Sequence, residues 1–126
     1  MRMDFDLYDY LIGASESKLV SMPTPSWKNQ TAVCIVLASK GYPESYPKNE
    51  KISGLEQTME GSYVFHAGTK KENSSILTNG GRVLGVTALG EDLESAILNA
   101  YLTSEKISWP NKYCRTDIGK KGLAYL

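Results

Sequence analysis

The run Asn79-Gly80-Gly81-Arg82 joins two features that suit an anion. A glycine bend lets a ligand approach main-chain N–H groups, and an adjacent guanidinium can grip a phosphate through two parallel hydrogen bonds. The same residues also fit an ordinary hairpin turn followed by a surface arginine. His66, the single histidine, follows Tyr63-Val64-Phe65. It has the chemistry to polarise a substrate or donate a hydrogen bond, and equally that of a half-buried ring bonded to a main-chain carbonyl. Arg115 and Asp117 form an Arg-x-Asp pair in the C-terminal tail. Such a pair suits substrate binding or, as the simpler reading, the pinning of the tail. Gly41-Tyr42-Pro43 has the composition of a plain turn.

Other chemistries lack their residues. No GxxxxGK[ST] loop is present, and the glycine-rich stretch Thr78 to Gly85 does not match the dinucleotide fingerprint. No serine sits in a GxSxG elbow. A single histidine beside Cys34 and Cys114 argues against a tetrahedral Cys/His zinc site. Cys34 lies in an apolar run and reads as a small hydrophobe. Cys114 lies in a polar tail, and the count and spacing show no secreted disulfide framework.

The elements that would position these residues follow from hydrophobic period and turn chemistry. Leu7, Tyr10, Leu11 and Ala14 recur at helical spacing, which predicts a helix over Asp4 to Ser15 with Asp4 and Asp6 near its positive end. Pro23 and Pro25 forbid a helix in the linker from Ser21 to Ser26. Thr31 to Ala38 is a nearly continuous apolar run, predicting a strand covered on both faces. Ser39 to Pro47 reads as a loop, and Lys51 to Leu55 as a short strand or turn. Ser62 to Ala67 predicts a second strand, and Gly68 to Ser75 a polar turn region. Ser75 to Thr78 and Arg82 to Leu89 read as a hairpin closed at Asn79-Gly80-Gly81, whose glycines would supply positive φ. Gly85 suggests a bulge or a close backbone approach. Leu93, Ala96, Ile97, Ala100, Tyr101 and Ile107 predict a helix from Leu93 to Ile107, with Glu91 and Asp92 at its start and Pro110 beyond its end. The tail from Tyr113 reads as irregular, closing in an apolar turn at Leu123 to Leu126. Hairpin signals without alternating β-α units point to an antiparallel α+β domain.

At 126 residues the chain suits one domain, able to build a core without disulfide or metal. Lys+Arg and Asp+Glu balance at 14 each and no basic stripe forms, the densest cluster being Lys120-Lys121, which argues against nucleic acid as a partner. No apolar run approaches the ~20 residues that span a bilayer. No signal peptide is evident at the charged stretch Met1 to Asp6. A cytoplasmic location with no membrane partner is the expectation.

The order of the segments adds more. Val36-Leu37-Ala38-Ser39-Lys40-Gly41-Tyr42-Pro43, Ile52-Ser53-Gly54-Leu55, Val64-Phe65-His66-Ala67-Gly68-Thr69, the stretch Thr78 to Gly90, and Tyr113-Cys114-Arg115-Thr116-Asp117-Ile118-Gly119 run through nearly the whole chain. They resemble, in order, the VLAS-x-GYP, I-x-GL, VFHAGT, TNGGRVLGVTALG and Y-x-R-x-DIG segments of the phosphoribosylamine–glycine ligases, a family of ATP-grasp enzymes. Arg2 to Leu7 is similar to the R-L-x-x-D-L stretch that opens that family's last helical linker. The resemblance is to the C-terminal domain, and the family's upstream RFGDPE-type motif has no counterpart here. Lys40, Cys114 and Ser108-Trp109-Pro110-Asn111 depart from the family pattern, the last replacing H-F-x-G in a stretch that could alter contacts near the cleft.

That resemblance implies a fold, a reaction and a division of labour. The fold is a small antiparallel sheet curled as a barrel-sandwich hybrid of the rudimentary single-hybrid type with flanking helices. Residues 1–25 would join a missing ATP-grasp domain, and residues 26–126 would form the C-terminal domain. In the reaction, ATP phosphorylates the glycine carboxylate, and the amine of 5-phosphoribosylamine then displaces phosphate to give glycinamide ribonucleotide. ATP and magnesium or manganese would be held by the missing N-terminal and ATP-grasp domains, none by this chain, which alone would be inactive. Arg82 with Gly80 and Gly81 would bind the substrate phosphate, while His66 and Thr69 would stand in the cleft wall. Arg115 and Asp117 would anchor the tail. The alternatives are a carrier module of barrel-sandwich type, disfavoured because Asn79-Gly80-Gly81 displays no lysine, and a split subunit that completes a separate ATP-grasp partner.

Overall fold

The computed structural model describes residues 1–125. Asp6 caps the first helix, α1 (Leu7–Ser15), its carboxylate accepting from the Tyr8 N–H at 2.8 Å, so the helix starts three residues after Asp4. A 3-10 turn (Leu19–Ser21) and an irregular proline segment follow. This N-terminal stretch closes on itself. Met3 bridges Trp27, and the Phe5 ring meets Tyr10 and Trp27 edge-on at 4.7 and 5.5 Å. Of α1 only Gly13 is buried, and Leu7 and Leu11 face solvent.

The remaining chain supplies β1 (Thr31–Ser39), β2 (Ser62–His66), β3 (Thr69–Glu72), β4 (Ser75–Thr78), β5 (Arg82–Gly90), α2 (Leu93–Lys106), β6 (Lys112–Tyr113) and α3 (Lys120–Leu123). One sheet has the order β2-β5-β1-β6, all pairs antiparallel, and β3 with β4 makes a second. The antiparallel α+β class therefore holds. No ladder joins the two sheets into a closed barrel among the described residues.

The expected hairpin between Ser75–Thr78 and Arg82–Leu89 does not form. β4 turns back on β3 instead, so Gly68 to Ser75 holds a strand as well as a turn. The two-residue loop is Asn73-Ser74, with Asn73 at φ 51°, a left-handed conformation that asparagine tolerates better than most residues. Gly80 and Gly81 are not among the positive-φ glycines, so hairpin closure is not their role.

β1 also differs from expectation. Val33, Ile35 and Leu37 are buried, but Ala32, Cys34 and Val36 are exposed. Its apolar composition concealed the period-2 alternation of a strand covered on one face only. The cover is α2, where Ala96 and Ala100 are fully buried and let the helix approach the sheet closely. Asp92 and Ser95 form the capping box that starts α2, and the Ser95 bonds hold the Asp92 carboxyl below its ordinary pKa. Between helix and sheet the Thr103 hydroxyl donates to Ser62 Oγ at 3.0 Å, buried. Ile52, Ile107 and Trp109 complete the core.

The tail is more regular than its composition suggests. β6 pairs with the end of β1, and the Tyr101 hydroxyl donates to the Arg115 carbonyl at 2.8 Å while accepting from the Ile118 N–H at 3.1 Å. α3 ends at Leu123 and Ala124 and Tyr125 follow as a turn, so the expected turn at Leu123 to Leu126 is met through Tyr125, and Leu126 lies outside the described residues. Among the described residues no helix is long and apolar enough to cross a membrane.

Candidate functional site

The face of the sheet that α2 leaves uncovered opens into a cleft of about 480 Å³. Its floor is a cross-strand row, Phe65 on β2, Gly85 on β5 and Val36 on β1, in direct register. His66, Ala67, Gly81, Arg82 and Tyr42 stand around it. Cys34 lies on this same open face as a free, exposed thiol, not as the buried hydrophobe its apolar neighbours suggest.

Arg82 reaches the cleft through an irregularity in β5. In an unbroken strand it would share a face with Leu84, Val86 and Ala88, all buried core residues. The register against β1 passes from Leu37↔Leu84 to Ala38↔Arg82, leaving Val83 as an extra residue. Val83 and Leu84 are in consequence both buried, while Arg82 is turned out. A bulge of this kind re-aims a side chain that strict alternation would send into the core. The irregularity suspected at Gly85 thus lies two residues earlier. Among the described residues the Arg82 guanidinium makes no hydrogen bond or ion pair.

The two glycines are required by close approach. A Cβ on Gly80 would lie 2.9 Å from the Gly68 Cα, and a Cβ on Gly81 would overlap the Tyr42 ring. Gly68 in turn donates from its N–H to the Arg82 carbonyl at 2.9 Å and accepts from the Asn79 N–H at 2.7 Å. Ser39, fully buried, takes both glycine carbonyls: its N–H donates to Gly81 at 2.8 Å and its hydroxyl to Gly80 at 3.3 Å. The N–H groups of Gly80 and Gly81 donate to no acceptor among the described residues. The bend beside Arg82 is thereby tied down through its acceptors; Gly81 lines the cleft but is itself buried beside the Tyr42 ring, and Gly80 lies against Gly68 outside the cleft lining.

His66 stands at the cleft, and its Nδ1 lies 3.0 Å from Thr69 Oγ1. Thr69 itself supports the histidine and does not line the cleft. Arg115 and Asp117 lie elsewhere, both exposed, joined by Nε–Oδ1 and Nη2–Oδ2 bonds of 2.8 and 2.6 Å. The arginine holds the Asp117 carboxyl at about 2, well below its ordinary value, chiefly through the hydrogen bond. The pair spans two residues within the tail, and the tail is bonded to the body by the β6 ladder and by Tyr101. None of the departing segment Ser108 to Asn111 lines the cleft, but the Asn111 carbonyl accepts from the Lys40 N–H at 2.8 Å, two residues from Tyr42. Trp109 is buried in the core, and Asn111 donates to the Glu50 carboxylate.

No group of three or more His, Cys, Asp and Glu side chains is placed to hold a metal among the described residues. The α2 N-terminus, where a phosphate would otherwise find free N–H groups, is occupied by Asp92. Tyr42 reads from sequence only as part of a turn, and Phe65, Val36, Ser39 and Gly68 carry no site signal of their own. The apolar runs of β1 and β2 hid the outward face of Val36 and Phe65, and the packing of Tyr42 on Gly81 depends on residues far apart in the chain.

A family model described as Phosphoribosylglycinamide synthetase, C domain matches residues 32–121. The phosphoribosylamine–glycine ligase of Synechocystis is 47% identical over 114 residues, covering 90% of this chain and 27% of that protein. That of Vibrio parahaemolyticus is 44% identical over 125 residues, covering 98% and 29%. A bifunctional purine biosynthetic protein of Dictyostelium discoideum is 42% identical over 127 residues, covering 98% and 16%. The crystal structure of the Thermotoga maritima phosphoribosylamine–glycine ligase superposes with a TM-score of 0.66 at 31% identity, over 86% of this chain and 27% of that one. The chain thus spans less than a third of the length of these relatives.

Proposed function

Because the chain belongs to the phosphoribosylglycinamide synthetase C-domain family, we propose that it forms the substrate-phosphate wall of a phosphoribosylamine–glycine ligase, which joins 5-phosphoribosylamine to glycine using ATP. The observation that carries this reading is Arg82, turned into an open cleft by a bulge beside the glycine bend and, among the described residues, left without a hydrogen-bond or ion-pair partner. The guanidinium and the bend hold the ribose phosphate, and His66, braced by Thr69, stands in the wall beside them.

Positioning and charge neutralisation dominate phosphoryl-transfer chemistry. The groups for ATP and its magnesium or manganese belong, in this reading, to N-terminal and ATP-grasp domains that this chain must meet. Residues 1–25 make that junction, residues 26–126 form the wall, and the two sheets are the halves of an open barrel-sandwich hybrid. The Arg115–Asp117 pair sets the tail conformation that Tyr101 grips. The assembled enzyme works in the cytoplasm.

Turnover with ATP, glycine and phosphoribosylamine tests the proposal. The chain alone should give none, and mixing it with the complementary domains of a relative should restore it. In that assembly Arg82→Ala should raise the KM for phosphoribosylamine by about tenfold or more, the size expected for lost hydrogen bonds to a charged group. The KM for ATP should not move. An unchanged KM for phosphoribosylamine would remove Arg82 from the site.

A further inference from the structure

The cleft has two ends of different character. Arg82, His66 and the glycine bend are polar, but the floor beyond them is apolar and open, with Phe65 52% and Val36 45% exposed. Between those two side chains lies Gly85, in register with both. With no side chain of its own it leaves a slot whose sides are a phenyl ring and an isopropyl group. A pentose phosphate is hydroxylated all round and gains little from such a floor. A flat heteroaromatic ring gains from it twice, by covering apolar surface and by stacking against Phe65. Taking the proposed phosphate-binding role of Arg82 as its basis, we infer that the cleft also accepts a nucleoside 5′-monophosphate, its phosphate on Arg82 and its base in the slot over Gly85. Such a nucleotide competes with the pentose phosphate for one guanidinium, so the domain that holds the substrate also senses a nucleotide pool.

Calorimetric titration of the 126-residue chain with AMP and with ribose 5-phosphate tests this. AMP should bind roughly tenfold more tightly, the size expected for one base stacked on one aromatic ring. Arg82→Ala should abolish both. Phe65→Ala should bring AMP down to the level of ribose 5-phosphate and leave the latter unchanged. Gly85→Ala supplies a second variant that keeps the fold, since its Cβ would meet only the Cys34 sulfur, at 3.3 Å, and it should act on AMP alone by narrowing the slot. Equal affinities for the two ligands, with both still lost on Arg82→Ala, would overturn the inference and leave the phosphate wall standing. AMP binding that survives Arg82→Ala would overturn it as well. Binding of neither ligand would sink it together with the reading on which it rests.

Discussion

Arg82 and Arg115 illustrate opposite uses of a guanidinium. Arg115 is spent on Asp117 two residues away, in a bidentate pair wholly within the tail, and its own pKa is raised by that hydrogen bond. The pair has a defined pH window. Because the Asp117 pKa falls from 3.8 to about 2 on folding, its contribution is fully present above the ordinary value and is lost as pH drops through about 2. NMR titration of the Asp117 carboxyl carbon should therefore give a midpoint near 2, and Arg115→Ala should return it close to 3.8. A wild-type midpoint at the ordinary value would mean that the pair does not persist in solution. Residue chemistry of this kind was legible in the sequence, since Arg-x-Asp spacing alone brings the two groups together. The aim of Arg82 was not. It depends on Val83 being looped out of register, and nothing in the local composition of β5 announces that.

At the scale of elements, α2 was readable because its period, its acidic start and Pro110 all agree. Only its last residue moved, Ile107 becoming the C-cap. β1 and β5 were legible as strands for their apolar runs. Their partners were harder. Asn79-Gly80-Gly81 offered a stronger turn signal than Asn73-Ser74, yet the hairpin forms at the latter because the glycines are needed where Gly68 and Tyr42 crowd the chain. β6 was invisible because its two residues, Lys112 and Tyr113, become a strand only through long-range pairing with Ala38 and Ser39. The helix-to-sheet contact offers a direct test of the packing. Thr103→Val keeps the volume of the side chain but leaves the buried Ser62 hydroxyl without its donor, which should cost about 1–2 kcal/mol in urea unfolding. Adding Ser62→Ala should recover part of that loss, and a double variant no better than the sum of the singles would show that the two hydroxyls are not coupled.

The whole molecule divides into a packed body and a lightly attached N-terminal stretch. The stretch builds its own small cluster of Phe5, Tyr10 and Trp27, while Leu7, Leu11, Leu19 and Val20 stay exposed. The packing of α1 is against the 3-10 turn that follows it. Removing residues 1–26 should therefore lower the stability of the body by less than about 1 kcal/mol, or less than about 5 °C in calorimetric midpoint. A larger drop would show that the stretch is part of the core. The division also has an optical consequence. The chain has two tryptophans, and they fall one on each side of it: Trp27 is 57% exposed and Trp109 only 4%. An indole among aliphatic neighbours emits at shorter wavelength than one in water, and the Trp109 N–H has no hydrogen-bond partner among the described residues to shift it back. The red edge of the emission spectrum, quenchable by iodide, therefore reports on the N-terminal stretch, and the blue edge reports on the body, so that one cuvette follows the two parts separately without a label.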